Sequence, residues 1–150
     1  MAEEKNWEDP IEETRAERVG RLISAVSAEI SKAHKEKYDI DTALLTAALS
    51  LDAQKELVEF LADAEFLAKE AANKVDSLEA EKYYSYKTNS TDKTTDQGLK
   101  FKVAADEDVI KAKENQSKAE ADYNKWRNLF GILKDSHVFF RSLGRGKSDW

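Results

Sequence analysis

The chain has 150 residues and a mass of 17.0 kDa, with 41% hydrophobic and 36% charged residues, one Pro and no Cys. That length bounds it to one domain or one protomer, the missing cysteines exclude disulfide and thiolate chemistry, and no apolar run approaches the ~20 residues that span a bilayer. The net charge of −6 is unevenly spread: residues 1–82 carry 11 Lys/Arg against 20 Asp/Glu and residues 83–150 carry 13 against 10, so a basic excess begins near Tyr83.

Taken in order, residues 1–8 are expected to be disordered. The acidic start MAEEKNWEDP lacks the apolar region of a signal peptide, so a cytoplasmic location is expected. Asp9-Pro10 reads as a helix start with Glu12 close to a capping box. Val19, Leu22, Ile23, Val26, Ile30 and Ala33 then recur at helical spacing over a helix of about 10–37. The segment from Tyr38 to Asp41 breaks that period, and Asp41 can cap a second helix over 42–84.

Its seam, Leu57, Leu61, Ala64, Ala68, Ala71, Val75 and Leu78, alternates steps of four and three, a heptad pattern. Ser50-Leu51-Asp52 is a candidate kink. Tyr84 and Tyr86, then Leu99, Phe101 and Val103, alternate with period two around a polar turn-rich run, which suggests a short extended or hairpin arm over 85–105. An irregular loop fits the same residues.

A third main helix is expected over 106–143, opened by Asp106, Glu107 and Asp108 at the positive end of its dipole. Its seam runs Val109, Ala112, Gln116, Ala119, Tyr123, Trp126, Phe130, Leu133, His137 and Phe140. Residues 144–150 are expected to be a mobile tail. The fold reading is one all-α domain over 9–143, with long coiled-coil-like helices and an extended or hairpin arm between the second and third.

Catalysis is not expected. His34 and His137 lie on different helices, the acidic pairs sit at helix starts where the dipole accounts for them, and no spacing suggests a metal site or cofactor. Gly144-Arg145-Gly146-Lys147-Ser148 has the end of a phosphate-binding loop, but Arg141 stands where its first Gly is needed and no strand precedes it. The region around the arm differs. Tyr83, Tyr84, Tyr86 and Phe101 interleave with Lys82, Lys87, Lys100 and Lys102, and aromatic faces stack unpaired bases while lysines neutralise phosphates. From composition alone the favoured reading is that such aromatics fill a small core while the lysines point to water.

The segment from Ala104 to Lys111, AADEDVIK, resembles the start of the last long helix in the UvsY-like recombination mediators of phages. The pair Tyr83-Tyr84 is similar to the tyrosine pair before that family's variable loop. Lys69-Glu70-Ala71-Ala72-Asn73-Lys74 resembles its Glu-Ala-containing basic run, and Ile40-Asp41 the opening of its first long helix. The resemblance covers about residues 38–140. It implies an oligomeric, non-enzymatic mediator in the host cell cytoplasm that binds single-stranded DNA. Such a protein helps a RecA-like recombinase load in place of a single-strand-binding protein, and assembles as a ring or barrel. It points to Lys74, Lys82, Tyr84, Tyr86, Lys87, Lys100, Phe101 and Lys102 as DNA contacts. The seam Tyr123, Trp126, Phe130, Leu133, His137 and Phe140 becomes the oligomer interface. The alternative is a coiled-coil assembly protein, of morphogenesis or chaperone type, with no nucleic-acid role.

Overall fold

A computed structural model describes residues 13–33, 39–90 and 94–145. Among them are four α-helices and no strand: α1 (Arg15–Ala33), α2 (Ile40–Asn89), α3 (Asp96–Ala104) and α4 (Glu107–Gly144). The fold is all-α. The described residues gather into two compact units, one within 1–57 and 132–150, the other spanning 58–131.

In the first unit, α1 opens on a reciprocal capping box. The Thr14 backbone N–H donates to Glu17 Oε2 at 2.9 Å, and the Glu17 N–H donates to Thr14 Oγ1 at 3.2 Å. The Asp9-Pro10 start lies outside the described residues. Val19, Leu22 and Val26 are buried, as their spacing requires. The start of α2 is capped by Asp39, not Asp41. Its Oδ1 accepts from the Thr42 N–H at 2.7 Å, and that bond holds the carboxyl below the usual range.

No kink or restart occurs at Ser50. Its hydroxyl donates back to the Thr46 carbonyl at 2.9 Å, as Thr46 does to Thr42 at 2.8 Å, so both buried hydroxyls are satisfied inside a continuous helix.

The C-terminal part of α4 runs antiparallel to the N-terminal part of α2. Gln54 Nε2 reaches the Leu133 carbonyl at 3.3 Å, and His137 Nδ1 lies 2.9 Å from the Ala47 carbonyl, which can only accept, so the ring donates. Ala43 and Ala47 are small enough to admit the Phe140 ring, with Ile30 packed on the cluster. At Gly144 the helices come close: a Cβ there would lie 2.5 Å from Leu44 Cδ2.

This packing corrects the interface reading for three residues. Leu133 and Phe140 are 3% and 1% exposed, so they have no surface left to offer a second copy, and His137 is engaged by its own chain.

In the second unit, α2 from residue 58 pairs antiparallel with α4 up to residue 131. The Phe60 and Trp126 rings meet at one end (5.5 Å between centroids), and Glu79 pairs with Lys113 at 2.6 Å toward the other. The shielded side chains are small: Ala64, Ala68, Val75, Leu99, Val103, Val109 and Ala112. Phe60, Tyr123, Trp126 and Phe130 are only half-buried, because two helices and a short third cannot surround a ring.

The extended arm is corrected outright. Tyr84 and Tyr86 belong to α2, and Leu99, Phe101 and Val103 belong to α3. A strand would set those last three on one face. Here Leu99 and Val103, one helical turn apart, are buried while Phe101 is 66% exposed. The deciding signal is Thr95, the N-cap of α3, whose Oγ1 accepts the Gly98 N–H at 3.1 Å.

Truncating the enclosed ring separates core from surface. Phe140→Ala should cost about 3–5 kcal/mol. Phe139→Ala, at a side chain 54% exposed, should cost about 1 kcal/mol or less. Urea unfolding of both variants checks this.

Candidate nucleic-acid interface

The site is built where α2 ends, α3 crosses and α4 begins, and carboxylates hold it together. Asp106 does most. Its Oδ1 accepts the backbone N–H groups of Asp108 (2.9 Å) and Val109 (3.4 Å), capping α4. Its Oδ2 accepts the Tyr86 hydroxyl at 2.6 Å and lies 3.4 Å from Lys82 Nζ. The Tyr86 bond is the largest influence holding Asp106 below the ordinary carboxylate range, and the same bond raises the Tyr86 hydroxyl. Lys82 is also paired with Asp108 at 2.8 Å, which pushes its ammonium up.

A second tie fixes α3. The Tyr83 hydroxyl donates to Asp96 Oδ1, and Lys100 Nζ lies 3.2 Å from Asp96 Oδ2. Asp96 is held below its usual range, first by Tyr83 and then by Lys100. Beside this second tie lies an open groove of about 320 Å³ lined by Glu79, Tyr83, Lys100, Val103 and Ala104.

Of the eight expected DNA contacts, the structure brings five to this corner with exposed side chains. Tyr84 is 70% and Phe101 66% exposed, with Lys87, Lys100 and Lys102 also exposed. At ~100° per residue, Lys100 and Lys102 flank Phe101 on either side of α3. Tyr84 points away from the α4-facing seam of α2, and Lys87 lies near enough to influence Asp96.

Lys82 and Tyr86 are placed differently. Both are half-buried struts whose polar ends are occupied by Asp106 and Asp108. Lys74 is apart from the corner, lining a different groove with Leu67, Glu70 and Ala119. Tyr123, Trp126 and Phe130 stay half-buried in the second unit. Sequence reasoning passed over Tyr83, Asp96 and Asp106 as anchors. The Thr95-Asp96-Gln97-Gly98 cap was the available signal for the first two, and the aspartate at the head of α4 for the third.

Among the described residues, no group of three His, Cys, Asp or Glu is placed to hold a metal ion, and no helix is long and apolar enough to cross a membrane. Comparison with protein-family models, curated proteins and solved structures finds no match to this chain.

The Asp106 cap has a definite pH sign. Its folded pKa is depressed, so its contribution is present above the ordinary Asp value of ~3.9 and is lost as pH falls below it. Wild type should therefore lose thermal stability on acidification through that window. Asp106→Ala should melt lower by roughly a few degrees at neutral pH and show a shallower acid dependence. Melting curves from neutral to acid pH, read by circular dichroism, check both.

Proposed function

We propose that the chain binds single-stranded nucleic acid at the α2–α3 corner and serves as a recombination mediator of the UvsY-like kind. In this reading it forms a homo-oligomer, a ring or barrel. It holds single-stranded DNA and helps a RecA-like recombinase replace a single-strand-binding protein on it.

The observation that carries the reading is the pairing of exposed aromatic rings with exposed ammonium groups on α2 and α3. Phe101 stands 66% exposed between Lys100 and Lys102, and Tyr84 70% exposed near Lys87. An aromatic ring left in water on a helix surface gives bases a stacking platform, and flanking lysines supply the sequence-independent phosphate contacts. The local basic excess in residues 83–150 is small, so affinity in one copy is modest and falls steeply with salt, and a multimer gains through multivalency.

The second reading, a helical assembly protein without a nucleic-acid role, is favoured by one observation. Lys82 and Lys100 both face carboxylates of their own chain.

Fluorescence anisotropy with a labelled single strand distinguishes the two. Binding at low salt that is released as salt rises supports the first, and no binding at low salt selects the second. Phe101→Ala should weaken binding by about 1–3 kcal/mol with an unchanged salt slope. Lys100→Ala with Lys102→Ala should flatten the slope by about 1.4, from ~0.7 per phosphate contact on single strands.

Asp96 competes with phosphate for Lys100 in this scheme, so Asp96→Asn should tighten binding. That gain should vanish in a Lys100→Ala background. A gain that persists there would mean that Asp96 acts only through general charge repulsion.

A further inference from the structure

The second unit carries a groove that its own chain leaves open. It lies between α2 and α4, has a volume of about 400 Å³, and is floored by Ala71, Ala112 and Ala119. Leu67 stands on its wall 54% exposed, and the half-buried Phe60–Trp126 pair lies on the same side of the two helices, toward one end. The opposite flank of the helix pair is where α3 packs, against Glu79 and Tyr83. On this flank nothing does so among the described residues. A two-helix layer that leaves aromatic rings half in water is short of one packing layer.

The charges along the groove say what completes it. Asp63, Leu67, Glu70 and Lys74 recur at i, i+4, i+7 and i+11, forming the groove edge of α2. Lys111, Asn115, Lys118 and Asp122 recur at the same steps, forming the edge of α4. Because the helices are antiparallel, Asp63 and Asp122 fall toward the Phe60–Trp126 end, and Lys74 and Lys111 toward the other. Glu70 and Lys118 lie near the middle. Asp63, Glu70, Lys74, Lys111 and Lys118 have no ion-pair partner among the described residues. Asp122 only accepts the Trp126 indole N–H, at 3.3 Å.

A groove acidic at one end and basic at the other, with one charge of each sign above an apolar floor between, is complementary to itself turned end for end. That is the requirement of an isologous two-fold contact.

We propose that this groove seats the same groove of a second copy, with the two helix pairs antiparallel to each other about a two-fold axis near Ala71. The result is a four-helix bundle of two layers in which Glu70 of each copy faces Lys74 of the other. Leu67 and the Phe60–Trp126 rings are covered in it. The inference goes beyond the ring or barrel of the reading above, because a two-fold contact closes at a dimer and a ring would need a second surface, and it does not depend on nucleic acid.

The test uses the full chain without DNA, by sedimentation velocity and native mass measurement at micromolar concentration. Wild type should be a dimer or a multiple of one. Leu67→Asp, at a position exposed in the single chain, should release the contact with helicity unchanged. Lys74→Glu should weaken association roughly tenfold or more, and Glu70→Lys with Lys74→Glu together should restore it to within about threefold.

A monomeric wild type overturns the proposal and leaves the groove to a helix of a different protein. So does an oligomer indifferent to Leu67→Asp, or a double variant no tighter than Lys74→Glu. Because DNA is absent throughout, failure here is separate from failure of single-strand binding, which the anisotropy titration reads.

Discussion

The second unit depends on one carboxylate doing two structural jobs. Asp106 ends the turn after α3 and begins α4, while its other oxygen reaches back to Tyr86 and Lys82 on α2. A helix start is an excess of unsatisfied N–H donors, and placing the compensating charge on a residue that also grips the neighbouring helix fixes the register of the two. Everything at the corner follows from that register. Glu79 meets Lys113, Leu99 and Val103 are buried, and Tyr84 is left outside.

The same economy explains why the lysines divide. Lys82 is drawn inward as part of the clamp, and Lys100 is held by the i,i+4 pair with Asp96, an exposed contact of the kind that contributes little and exchanges readily. Proximity in sequence to an aromatic run therefore separates poorly into role. The residue one turn away can be a strut while its neighbour faces solvent.

The long seams were legible because heptad spacing is a geometric property of the helix itself. Leu57, Ala64, Ala68 and Val75 are buried where the spacing puts them, as are Val109, Ala112, Leu133 and Phe140. What was not legible was the destination of those seams. Whether Phe140 faces its own chain or a second one depends on whether Ala43 and Ala47 are opposite, a tertiary fact with no local sign. The error at 99–103 has a plainer cause. Residues i, i+2 and i+4 satisfy a strand on all three and a helix on the outer two, so only the burial of Phe101 could decide, and Thr95 as a cap was the overlooked vote. At the corner, Tyr84, Phe101 and the exposed lysines were readable from composition. For the anchors Tyr83, Asp96 and Asp106 the caps were readable but the pairings were not, because a carboxylate's partner across a turn leaves no periodic trace.

The short span of α3 has a consequence for how any ligand would be held there. Nine residues with two buried side chains is below the length at which a helix stands on its own, so α3 persists through its cap, the Tyr83–Asp96 tie and two apolar contacts. It is the element of this unit with the least to lose by opening, and its amides should exchange with solvent ahead of those in α2 and α4. A partner that stacks on Phe101 therefore binds and orders in the same step. Part of its contact energy goes into holding α3 shut, and the protection of those amides would report occupancy directly.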